Sequence, residues 1–544
     1  MKIKISGSLL LLLCILQVSN VAAQAKKKPN VLFIAVDDLK PILGCYGNKL
    51  IKTPNIDRLA KRGTVFMTNY CQQAVCGPTR ASIMTGKRPD YTRVWDLKTK
   101  MRDMNPDILS LPQYFISQGY STQGVGKVYD VRCVDNEFDK PSWSVPFYKT
   151  DKSLYATETG PPALNYYQDI ETKKLAEQSL KEAYAKGLEG EKAVTDALVR
   201  VKPSVESADV PDNAYTDGVH SIMARNILVK LSKEAGPFFL AVGFSKPHLP
   251  FVAPKKYWDL YKREDMPVAK FQQPPANFVE ISYHNAGELR AYTDIPPLIS
   301  FTDQKPGLTL PLDKQKELIH GYHAAVSYTD AQLGLVLKTL DSLGLTDNTI
   351  IVLWGDHGWH LGDHNLWCKH SNFEQAARAP LIICAPGLAS STVKTPTEFV
   401  DIFPTLCDLA HIKIPGNLDG KSLVPAMKKP AVALKEFAVS QYPRSAEKGE
   451  YERLGYAKAE YMGYSIRTMQ YRYTIWMKGQ FRSNMHFNKD LIVGSELYDY
   501  KKDPDETVNV AEKKEYAAIL KKLKKNMQGY LDAEYKKLNN AAIK

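Results

Sequence analysis

The sequence contains no apolar run long enough to cross a membrane, because a spanning helix needs about 20 predominantly apolar residues. A much shorter apolar stretch, Leu9–Leu16, follows Lys2 and Lys4 and precedes the small residues Val21 to Ala23. This order of positive, apolar and small residues is typical of a secretory signal peptide. We therefore predict a signal peptide at residues 1–23, no membrane span, and a mature chain exported to the periplasm, with secretion as the alternative.

Cysteines are few, and their spacing is typical neither of a zinc site nor of a disulfide framework. Cys14 lies in the predicted signal peptide. The mature chain keeps seven cysteines: Cys45, Cys71, Cys76, Cys133, Cys368, Cys384 and Cys407. Export permits disulfides, but seven is an odd number, so at least one cysteine is unpaired or chemically altered.

No basic stripe is interleaved with aromatic residues, so the sequence gives no support for a nucleic-acid partner. The formal net charge is nonetheless +13. That charge either attracts a polyanionic substrate or belongs to solvated surface helices, such as the lysine-rich stretch 521–525.

Low-complexity tracts are also absent, and 544 residues suffice for one large globular domain and a smaller one.

Three apolar runs have the continuous hydrophobicity of strands that are buried on both faces of a sheet. They are Val31–Val36, Phe238–Phe244 and Ile350–Trp354. The stretch Asp313–Leu343 has the apolar spacing of a helix, with Gly344 as a stop. Strands that alternate with helices predict a largely parallel α/β sheet, in which ligand-binding residues gather at the carboxyl ends of the strands.

The sequence changes character near residue 430, where apolar and polar residues begin to alternate. This alternation predicts a small antiparallel sheet, followed by a lysine-rich helix. We therefore divide the mature chain into a large α/β domain at residues 24–430 and a smaller C-terminal domain at residues 431–544. The charged stretch 171–207 and the proline-rich stretch 267–311 are expected at the periphery, the second as a pocket wall.

Acidic residues follow two of the predicted strands, Asp37 and Asp38 after the first and Asp356 with His357 after the last. Three carboxylates brought together repel one another unless a cation neutralises them. Hard oxygen ligands favour Ca²⁺ or Mg²⁺. Because His357 would be an unusual ligand for either ion, Mn²⁺ or a supporting role for His357 remains open.

The segment "AVCGPTRASIMTG" places Cys76 at the predicted start of a helix, with Pro78 at the first helical position. A helix N-terminus carries partial positive charge and free N–H groups, which favour anions. Arg80 adds a cation one turn further along. These residues suit either an anionic nucleophile or substrate at Cys76, or a structural cysteine in a turn.

The pattern from Cys76 to Arg80, C-x-P-x-R, resembles the motif of type I sulfatases. The resemblance continues to Gly86 and extends over about residues 29–510, most clearly to the iduronate-2-sulfatase branch through "FFLAVGFSKPHLPF", "GDHGWHLGDHNLW" and "MGYSIRTMQYRYTIW". It implies an α/β fold of the alkaline-phosphatase-like sandwich type, with a large, mostly parallel central sheet and a smaller C-terminal α+β domain with an antiparallel sheet. It also implies that a maturase, the formylglycine-generating enzyme, converts Cys76 to formylglycine (3-oxoalanine), whose hydrate is the nucleophile.

The resemblance further implies the roles of the site residues in a sulfatase that acts on sulfated carbohydrates. Arg80 would stabilise the nucleophile, Lys127 and Lys369 would hold sulfate oxygens, and His248 would protonate the leaving sugar oxygen. One divalent cation, usually Ca²⁺, would be bound by Asp37, Asp38, Asp356, His357 and the modified Cys76. The implied substrates are uronate-containing glycans, such as glycosaminoglycan fragments, or algal polysaccharides such as ulvan.

One position departs from the family pattern. Asp130 stands where these sulfatases usually have a histidine, shortly after Lys127. Asp130 could act as the base that eliminates sulfate, or Arg132 could meet a substrate anion, and Lys246 is a third candidate for substrate binding. Two other functions stay open at this point: a phosphodiesterase or phosphonate hydrolase of the same superfamily, and a catalytically silent polyanion-binding homologue.

Overall fold

The computed structural model describes residues 28–157, 167–284, 286–296, 309–445, 459–479 and 488–542. The predicted signal peptide lies outside these ranges. Within them, no helix is both long enough and apolar enough to cross a bilayer.

The strands of the described residues are β1 (Asn30–Val36), β2 (Thr64–Phe66), β3 (Asn69–Tyr70), β4 (Ser121–Gly126), β5 (Val205–Ala208), β6 (Phe238–Phe244), β7 (Phe251–Pro254), β8 (Thr349–Gly355), β9 (His360–Leu361), β10 (Trp367–Cys368), β11 (Leu381–Cys384), β12 (Ser391–Val393), β13 (Thr397–Glu398), β14 (Ala438–Ser445), β15 (Glu460–Arg467), β16 (Tyr471–Lys478) and β17 (Ile492–Asp499).

The α-helices of the described residues are α1 (Pro54–Ala60), α2 (Cys76–Thr85), α3 (Pro89–Thr92), α4 (Met101–Met104), α5 (Leu111–Ser117), α6 (Ile170–Ala185), α7 (Gly190–Arg200), α8 (Thr216–Leu231), α9 (Lys255–Trp258), α10 (Gly287–Arg290), α11 (Leu312–Ser342), α12 (Glu374–Ala377), α13 (Ile402–Leu409), α14 (Val424–Lys428) and α15 (Ala517–Ala542).

The central sheet has seven strands in the order β12-β2-β11-β8-β1-β6-β4. Strands β8, β1, β6 and β4 are parallel to one another, whereas β11 is antiparallel to both of its neighbours. The three predicted strands are the adjacent strands β8, β1 and β6 at the centre of this sheet. The predicted α/β fold with a large, mostly parallel central sheet is confirmed.

Helices cover both faces of the central sheet, which explains why its central strands are apolar on both sides. In β1, Leu32 and Ile34 belong to one hydrophobic core, together with residues of α8 and α11. The intervening Val31 and Phe33 belong to the other core, with residues of α2 and α13. Successive side chains of a strand point to opposite faces, so the same short segment contributes to both cores.

The long helix α11 begins and ends one residue before the predicted range Asp313–Leu343. It ends where Gly344 adopts a left-handed φ of +65° and its N–H donates to the Asp341 carbonyl oxygen at 3.0 Å. The charged stretch 171–207 forms α6 and α7, most of whose side chains are exposed.

A second sheet of four antiparallel strands, in the order β14-β15-β16-β17, follows in the chain. One face of it packs against α15, where Leu523, Met527 and Leu531 join the apolar side chains of the strands. The predicted small antiparallel sheet and the C-terminal helix are therefore present. A division of the mature chain at residue 430 stays a prediction.

Candidate active site

The central strands bring the predicted acidic residues to one point. Val36, the last residue of β1, pairs with Phe244 of β6 and Gly355 of β8. Beyond this row the Asp37 N–H donates to the Phe244 carbonyl oxygen at 3.1 Å, and the Asp356 N–H donates to the Val36 carbonyl oxygen at 3.3 Å. The two acidic segments therefore leave the sheet side by side.

Helix α2 begins at Cys76, two residues earlier than the sequence predicts, so Pro78 is its third residue and not its first. The first N–H groups of a helix have no intrahelical acceptor, so a proline in this first turn costs no hydrogen bond. Every residue of α2 is buried. Cys76 thus lies at the N-terminus of the helix, as predicted, but inside the protein and next to the strand ends.

Arg80 joins the two acidic segments. Its Nη2 donates to Asp37 Oδ1 at 2.9 Å and its Nε donates to Asp356 Oδ2 at 3.0 Å, and neither partner is exposed. Its Nη1 donates to the backbone carbonyl oxygens of Lys127 and Val128. All three nitrogen atoms of the guanidinium therefore donate hydrogen bonds to the protein. These bonds hold Arg80 in one orientation beside the carboxylates.

Four side chains, those of Asp38, Cys76, Asp356 and His357, each offer one possible metal-ligand atom, and these four atoms all lie within 4.8 Å of one another. His357 Nε2 is 3.3 Å from Asp38 Oδ1 and 3.5 Å from Cys76 Sγ. The other ring nitrogen, Nδ1, is 3.0 Å from the carbonyl oxygen of Gly358, which fixes the tautomer with Nε2 free to accept. Two carboxylates, one imidazole nitrogen and the position of Cys76 thus converge as ligands of a divalent cation would.

The carboxylates of the cluster differ in the direction of their pKa shifts. Burial raises the pKa of Asp38 well above its usual range. Burial and the neighbouring Asp37 raise the pKa of Asp356 to about 6. Burial alone would also raise the pKa of Asp37, but Lys127 and Arg80 lower it well below its usual range. A cation at Asp38 and Asp356 would lower both raised pKa values, because it would stabilise the ionised carboxylates.

The thiol of Cys76 is the unmodified form of the predicted nucleophile. Burial, and then the negative charge of Asp37, raise the pKa of this thiol well above its usual range. A thiol is a weak nucleophile when it is protonated. The surroundings of Cys76 therefore favour the thiol over the thiolate.

The predicted sulfate-binding lysines flank the acidic cluster. The Lys127 ammonium donates to Asp37 Oδ2 and lies 4.0 Å from Cys76 Sγ. Lys369 Nζ lies 3.0 Å and 3.1 Å from the two carboxylate oxygens of Asp38. Both lysines thus stand within reach of a group bound at Cys76.

The backbone is closely packed at Lys127 and has left-handed φ values on both sides of Lys369. A Cβ at Gly243 would lie 2.2 Å from the carbonyl carbon of Lys127, so only glycine lets β4 and β6 approach this closely. Cys368 and His370, on either side of Lys369, have left-handed φ values of +73° and +67°. Such backbone strain in non-glycine residues is typical of functional sites.

His248, the predicted general acid, directs Nε2 into the site. That atom lies 3.3 Å from Glu288 Oε1 and 3.8 Å from Asp38 Oδ2. The other nitrogen, Nδ1, donates a hydrogen bond to the Leu249 carbonyl oxygen at 2.5 Å. Burial, together with the charges of Lys369 and Lys127, lowers the pKa of His248 to about 3 in the substrate-free site.

Glu288 belongs to this site, although no sequence pattern predicts it. Its Oε1 lies 3.0 Å from Lys369 Nζ, and its Oε2 accepts a hydrogen bond from His370 Nε2 at 3.1 Å. It lies in the four-residue helix α10 within the stretch 267–311, which was predicted as a pocket wall. A single glutamate in a proline-rich stretch has no spacing that marks it as functional.

Asp130 and Arg132 form an ion pair with each other. Arg132 donates from Nε to Asp130 Oδ1 at 2.9 Å and from Nη2 to Oδ2 at 2.7 Å. Burial would raise the pKa of Asp130, but these hydrogen bonds and the charge of Lys127 lower it. The roles of Asp130 as a base and of Arg132 as a substrate contact stay predictions.

Lys246, the third candidate for substrate binding, is buried. Its Nζ donates to the carbonyl oxygens of His248 and Pro250 at 2.7 Å each. Burial lowers the pKa of this lysine to about 8. In the free protein Lys246 therefore supports the backbone that carries His248, and contact with substrate stays a prediction.

Comparisons with known proteins show which family the chain resembles. A family model described as "Sulfatase" matches residues 29–412, and one described as "N-sulphoglucosamine sulphohydrolase, C-terminal" matches residues 362–532. The iduronate 2-sulfatase of Mus musculus is 33% identical over 545 aligned residues, which cover 91% of this chain and 93% of that protein. A sulfatase of Formosa agariphila is 30% identical, with 91% of this chain and 86% of that protein covered.

A solved structure is similar over almost the whole chain. It is a protein in complex with its substrate D-glucosamine-2-N,6-O-disulfate, which matches with a TM-score of 0.62 at 22% identity and covers 94% of this chain and 99% of its own. At this identity the likeness concerns the fold.

Proposed function

The chain belongs to the sulfatase family and is a sulfuric ester hydrolase, and from this premise we propose that it is exported and removes sulfate from sulfated oligosaccharides or polysaccharides. The proposed nucleophile is a formylglycine hydrate made from Cys76. The observation that carries the proposal is the position of Cys76 at the buried N-terminus of α2, between the carboxylates of Asp38 and Asp356 and the ammonium groups of Lys127 and Lys369.

Conversion of Cys76 to formylglycine is supported by two features of this chain. The residues from Cys76 to Arg80 have the C-x-P-x-R pattern that a maturase recognises in type I sulfatases. In addition, burial and the charge of Asp37 raise the pKa of the Cys76 thiol, so an unmodified Cys76 would be a poor nucleophile.

The proposed cation site consists of Asp37, Asp38, Asp356, His357 and the modified Cys76. A bound divalent cation, Ca²⁺ by the oxygen-rich ligand set, supplies positive charge that makes a hydroxyl group of the hydrate more acidic. Arg80 complements this charge from the protein side, because it is fixed between Asp37 and Asp356.

The chain's own residues account for the two steps of the proposed reaction. In the first, a bond forms between a hydrate oxygen and sulfur while the bond from sulfur to the sugar oxygen breaks, and His248 gives a proton to that oxygen. Lys127 and Lys369 hold sulfate oxygens as point charges. In the second step, the remaining hydroxyl group of the hydrate gives its proton to a base, either His248, which lost its proton in the first step, or the predicted base Asp130. The carbon–oxygen bond to sulfate then breaks, sulfate leaves, and the aldehyde is regenerated.

His248 can act as an acid only if its pKa rises when substrate binds. Burial and two lysine charges hold its pKa near 3 in the free site. A sulfate ester bound between Lys127 and Lys369 brings a negative charge that opposes both of these lysines, so the pKa of His248 rises when substrate is present.

The proposed substrates are uronate-containing glycosaminoglycan fragments or algal polysaccharides such as ulvan. The similarity to an iduronate 2-sulfatase favours the first group, and the similarity to a sulfatase of Formosa agariphila agrees with either. Release of free sulfate from a panel of sulfated oligosaccharides, measured by ion chromatography, distinguishes the groups. A phosphonate monoester and a phosphate diester belong in the same panel, because faster turnover of either would contradict a sulfatase.

The formylglycine proposal is tested by peptide mass analysis of protein produced together with a maturase. We expect the Cys76 peptide to have the mass of the aldehyde, and the Cys76→Ala variant to release no sulfate. Cys407→Ala, which removes a buried thiol of the hydrophobic core, serves as the control and should keep its activity. An active enzyme with an unaltered Cys76 thiol would refute the proposal.

A further inference from the structure

A cavity of about 300 Å³ extends from the active site towards the peripheral helices. At the active-site end it is lined by Lys127 and His248. At the far end it is lined by Tyr167, Leu198, Lys202 and Tyr292. These far residues have no part in the reaction proposed above, and the volume is that of a small-ligand pocket.

The residues at the far end of the cavity are held together by hydrogen bonds that involve backbone groups. The Lys202 N–H donates to Thr293 Oγ1 at 3.1 Å, and the Thr293 N–H donates to the Lys202 carbonyl oxygen at 2.9 Å. The hydroxyl group of Tyr167 donates to the carbonyl oxygen of Pro203 at 2.8 Å. The segment after α7 and the segment that carries Tyr292 therefore form one connected wall.

The same wall is joined to the segment that carries the general acid. The N–H of Phe251, three residues after His248, donates to the carbonyl oxygen of Ser204 at 2.8 Å. Strands β5 and β7 continue this contact as a parallel pair. The position of Lys202 relative to His248 is therefore fixed by backbone hydrogen bonds over only a few residues.

Lys202 is a half-buried cation at the end of this cavity. Its Nζ lies 4.4 Å from the centroid of the Tyr292 ring. In the part of the chain that the structure describes, no carboxylate oxygen forms an ion pair with it. Burial lowers the pKa of Lys202, so an anion that entered the cavity would give a partly desolvated ammonium group its missing partner.

We propose that this cavity is a subsite for an anionic group, a carboxylate or a second sulfate, on a sugar that is linked to the sugar undergoing desulfation. Lys202 supplies the positive charge, and the aromatic rings of Tyr167 and Tyr292 supply apolar surface for the sugar ring. This inference rests on the proposed function, because it assumes that a sulfated saccharide occupies the active site. It narrows the substrate to a saccharide of at least two residues with a second negative charge.

The test compares Lys202→Met with Lys192→Met on four substrates. Lys192 is an exposed lysine of α7 that does not line the cavity, so its variant removes the same charge from the same region. The substrates are 4-nitrophenyl sulfate, a monosulfated disaccharide without another anion, its uronate-containing analogue, and a disulfated disaccharide. Thermal unfolding of each variant checks that the fold is kept.

We expect Lys202→Met to lower kcat/KM roughly tenfold, mainly through KM, on at least one doubly anionic disaccharide. The two other substrates should be hydrolysed as by the unsubstituted enzyme, Lys192→Met should behave normally on all four, and Lys202→Arg should restore most of the loss. The analogue that is affected shows whether a carboxylate or a second sulfate occupies the subsite.

Two further outcomes contradict different claims. Equal kinetics of Lys202→Met and the unsubstituted enzyme on all active substrates, or an equal loss on all of them, would overturn the subsite and leave the sulfatase proposal intact. An unsubstituted, formylglycine-containing enzyme that hydrolyses none of the four sulfates would instead overturn the proposed function.

Discussion

Glu288 contacts two groups on which the proposed chemistry depends. It lies 3.0 Å from the ammonium of Lys369 and 3.3 Å from Nε2 of His248. Removal of its charge in Glu288→Gln should therefore disturb the position of both groups. We expect kcat to fall roughly 10- to 100-fold, as for supporting residues of other active sites, while KM changes less.

The control for this change is Glu280→Gln, because Glu280 is exposed and lies in the same stretch of chain. Steady-state kinetics with an aryl sulfate provide the measurement, and Glu288→Asp should recover part of the rate. A Glu288→Gln variant with the kcat of the unsubstituted enzyme would show that the carboxylate does not position these groups.

Removal of the proposed cation should weaken the fold in a pH-dependent way. Without it the pKa of Asp356 is raised to about 6, whereas in an unfolded chain an aspartate titrates near its ordinary value of 3.8. A raised carboxyl pKa favours the protonated folded form, so stability falls as the pH rises from about 4 to about 6 and stays lower above that range.

The corresponding measurement is the midpoint of thermal unfolding with and without a chelator at several pH values. We expect the midpoint to fall after chelation, the difference to be larger above pH 6 than below pH 4, and added Ca²⁺ to restore both the midpoint and the activity. A midpoint that a chelator leaves unchanged at every pH would contradict a structural cation at this cluster.

At the scale of elements, sequence patterns located the central strands well, because burial on both faces requires continuous apolar runs. They also placed Asp37 and Asp356 together, since parallel strands end at the same edge of a sheet. The roles of Lys127, His248 and Lys369 came from the family resemblance, because a lone lysine or histidine in a turn has no pattern of its own.

Other features depend on tertiary contacts that no local pattern encodes. Glu288 reaches the site from the distant helix α10, and Lys202 is joined to the segment of His248 by the hydrogen bond from Phe251 to Ser204. The start of α2 differs from the prediction because Pro78 is compatible with several positions of a first turn. In the structure Pro78 is the third residue of the helix. The helix begins at Cys76, whose position is set by its tertiary contacts.

Gly243 provides a test of how closely β4 and β6 must approach. A Cβ at this position would lie 2.2 Å from the carbonyl carbon of Lys127, and a backbone atom cannot rotate away. We expect Gly243→Ala to lower the free energy of unfolding by about 1–3 kcal/mol. Because Lys127 would be displaced, kcat/KM should fall by roughly ten- to a hundredfold.

The matched control is Gly529→Ala in α15, where no atom lies within 4 Å of the added Cβ. Alanine has the higher helix propensity, so this variant should gain about 0.5–1 kcal/mol in the free energy of unfolding and keep full activity. Urea titration and aryl sulfate kinetics measure both variants. A fully active Gly243→Ala would show that the strands can separate without moving Lys127.

At the scale of the whole molecule, Glu374 connects the C-terminal sheet to the loop that carries Lys369. It accepts hydrogen bonds from Arg472 Nη2 of β16 at 2.6 Å and from Arg467 Nε of β15 at 3.1 Å. The hydroxyl group of Tyr70 donates to its other oxygen at 3.0 Å. The carboxylate of Glu374, five residues after Lys369, is therefore one of the contacts through which the C-terminal sheet supports the active-site loop.

This connection should make the stability of the molecule depend on pH in the acid range. Burial alone would raise the pKa of Glu374, but Arg467 and Arg472 lower it to about 2. Since the pKa is lower in the folded than in the unfolded chain, the stabilisation is complete above about pH 4.5 and is lost as the pH falls towards 2. The difference in pKa corresponds to roughly 3 kcal/mol.

Glu374→Gln isolates this contribution. At pH 7 the variant should lose about 3–5 kcal/mol in the free energy of unfolding, because two buried guanidinium groups lose their charged partner. The difference from the unsubstituted protein should shrink between pH 4.5 and pH 2, where the carboxylate itself becomes protonated. Urea titrations across this range test the prediction, with the exposed Glu512→Gln as a control that should match the unsubstituted protein. A difference that stays constant down to pH 2 would mean that the charge of Glu374 is not what stabilises its contacts with Arg467 and Arg472.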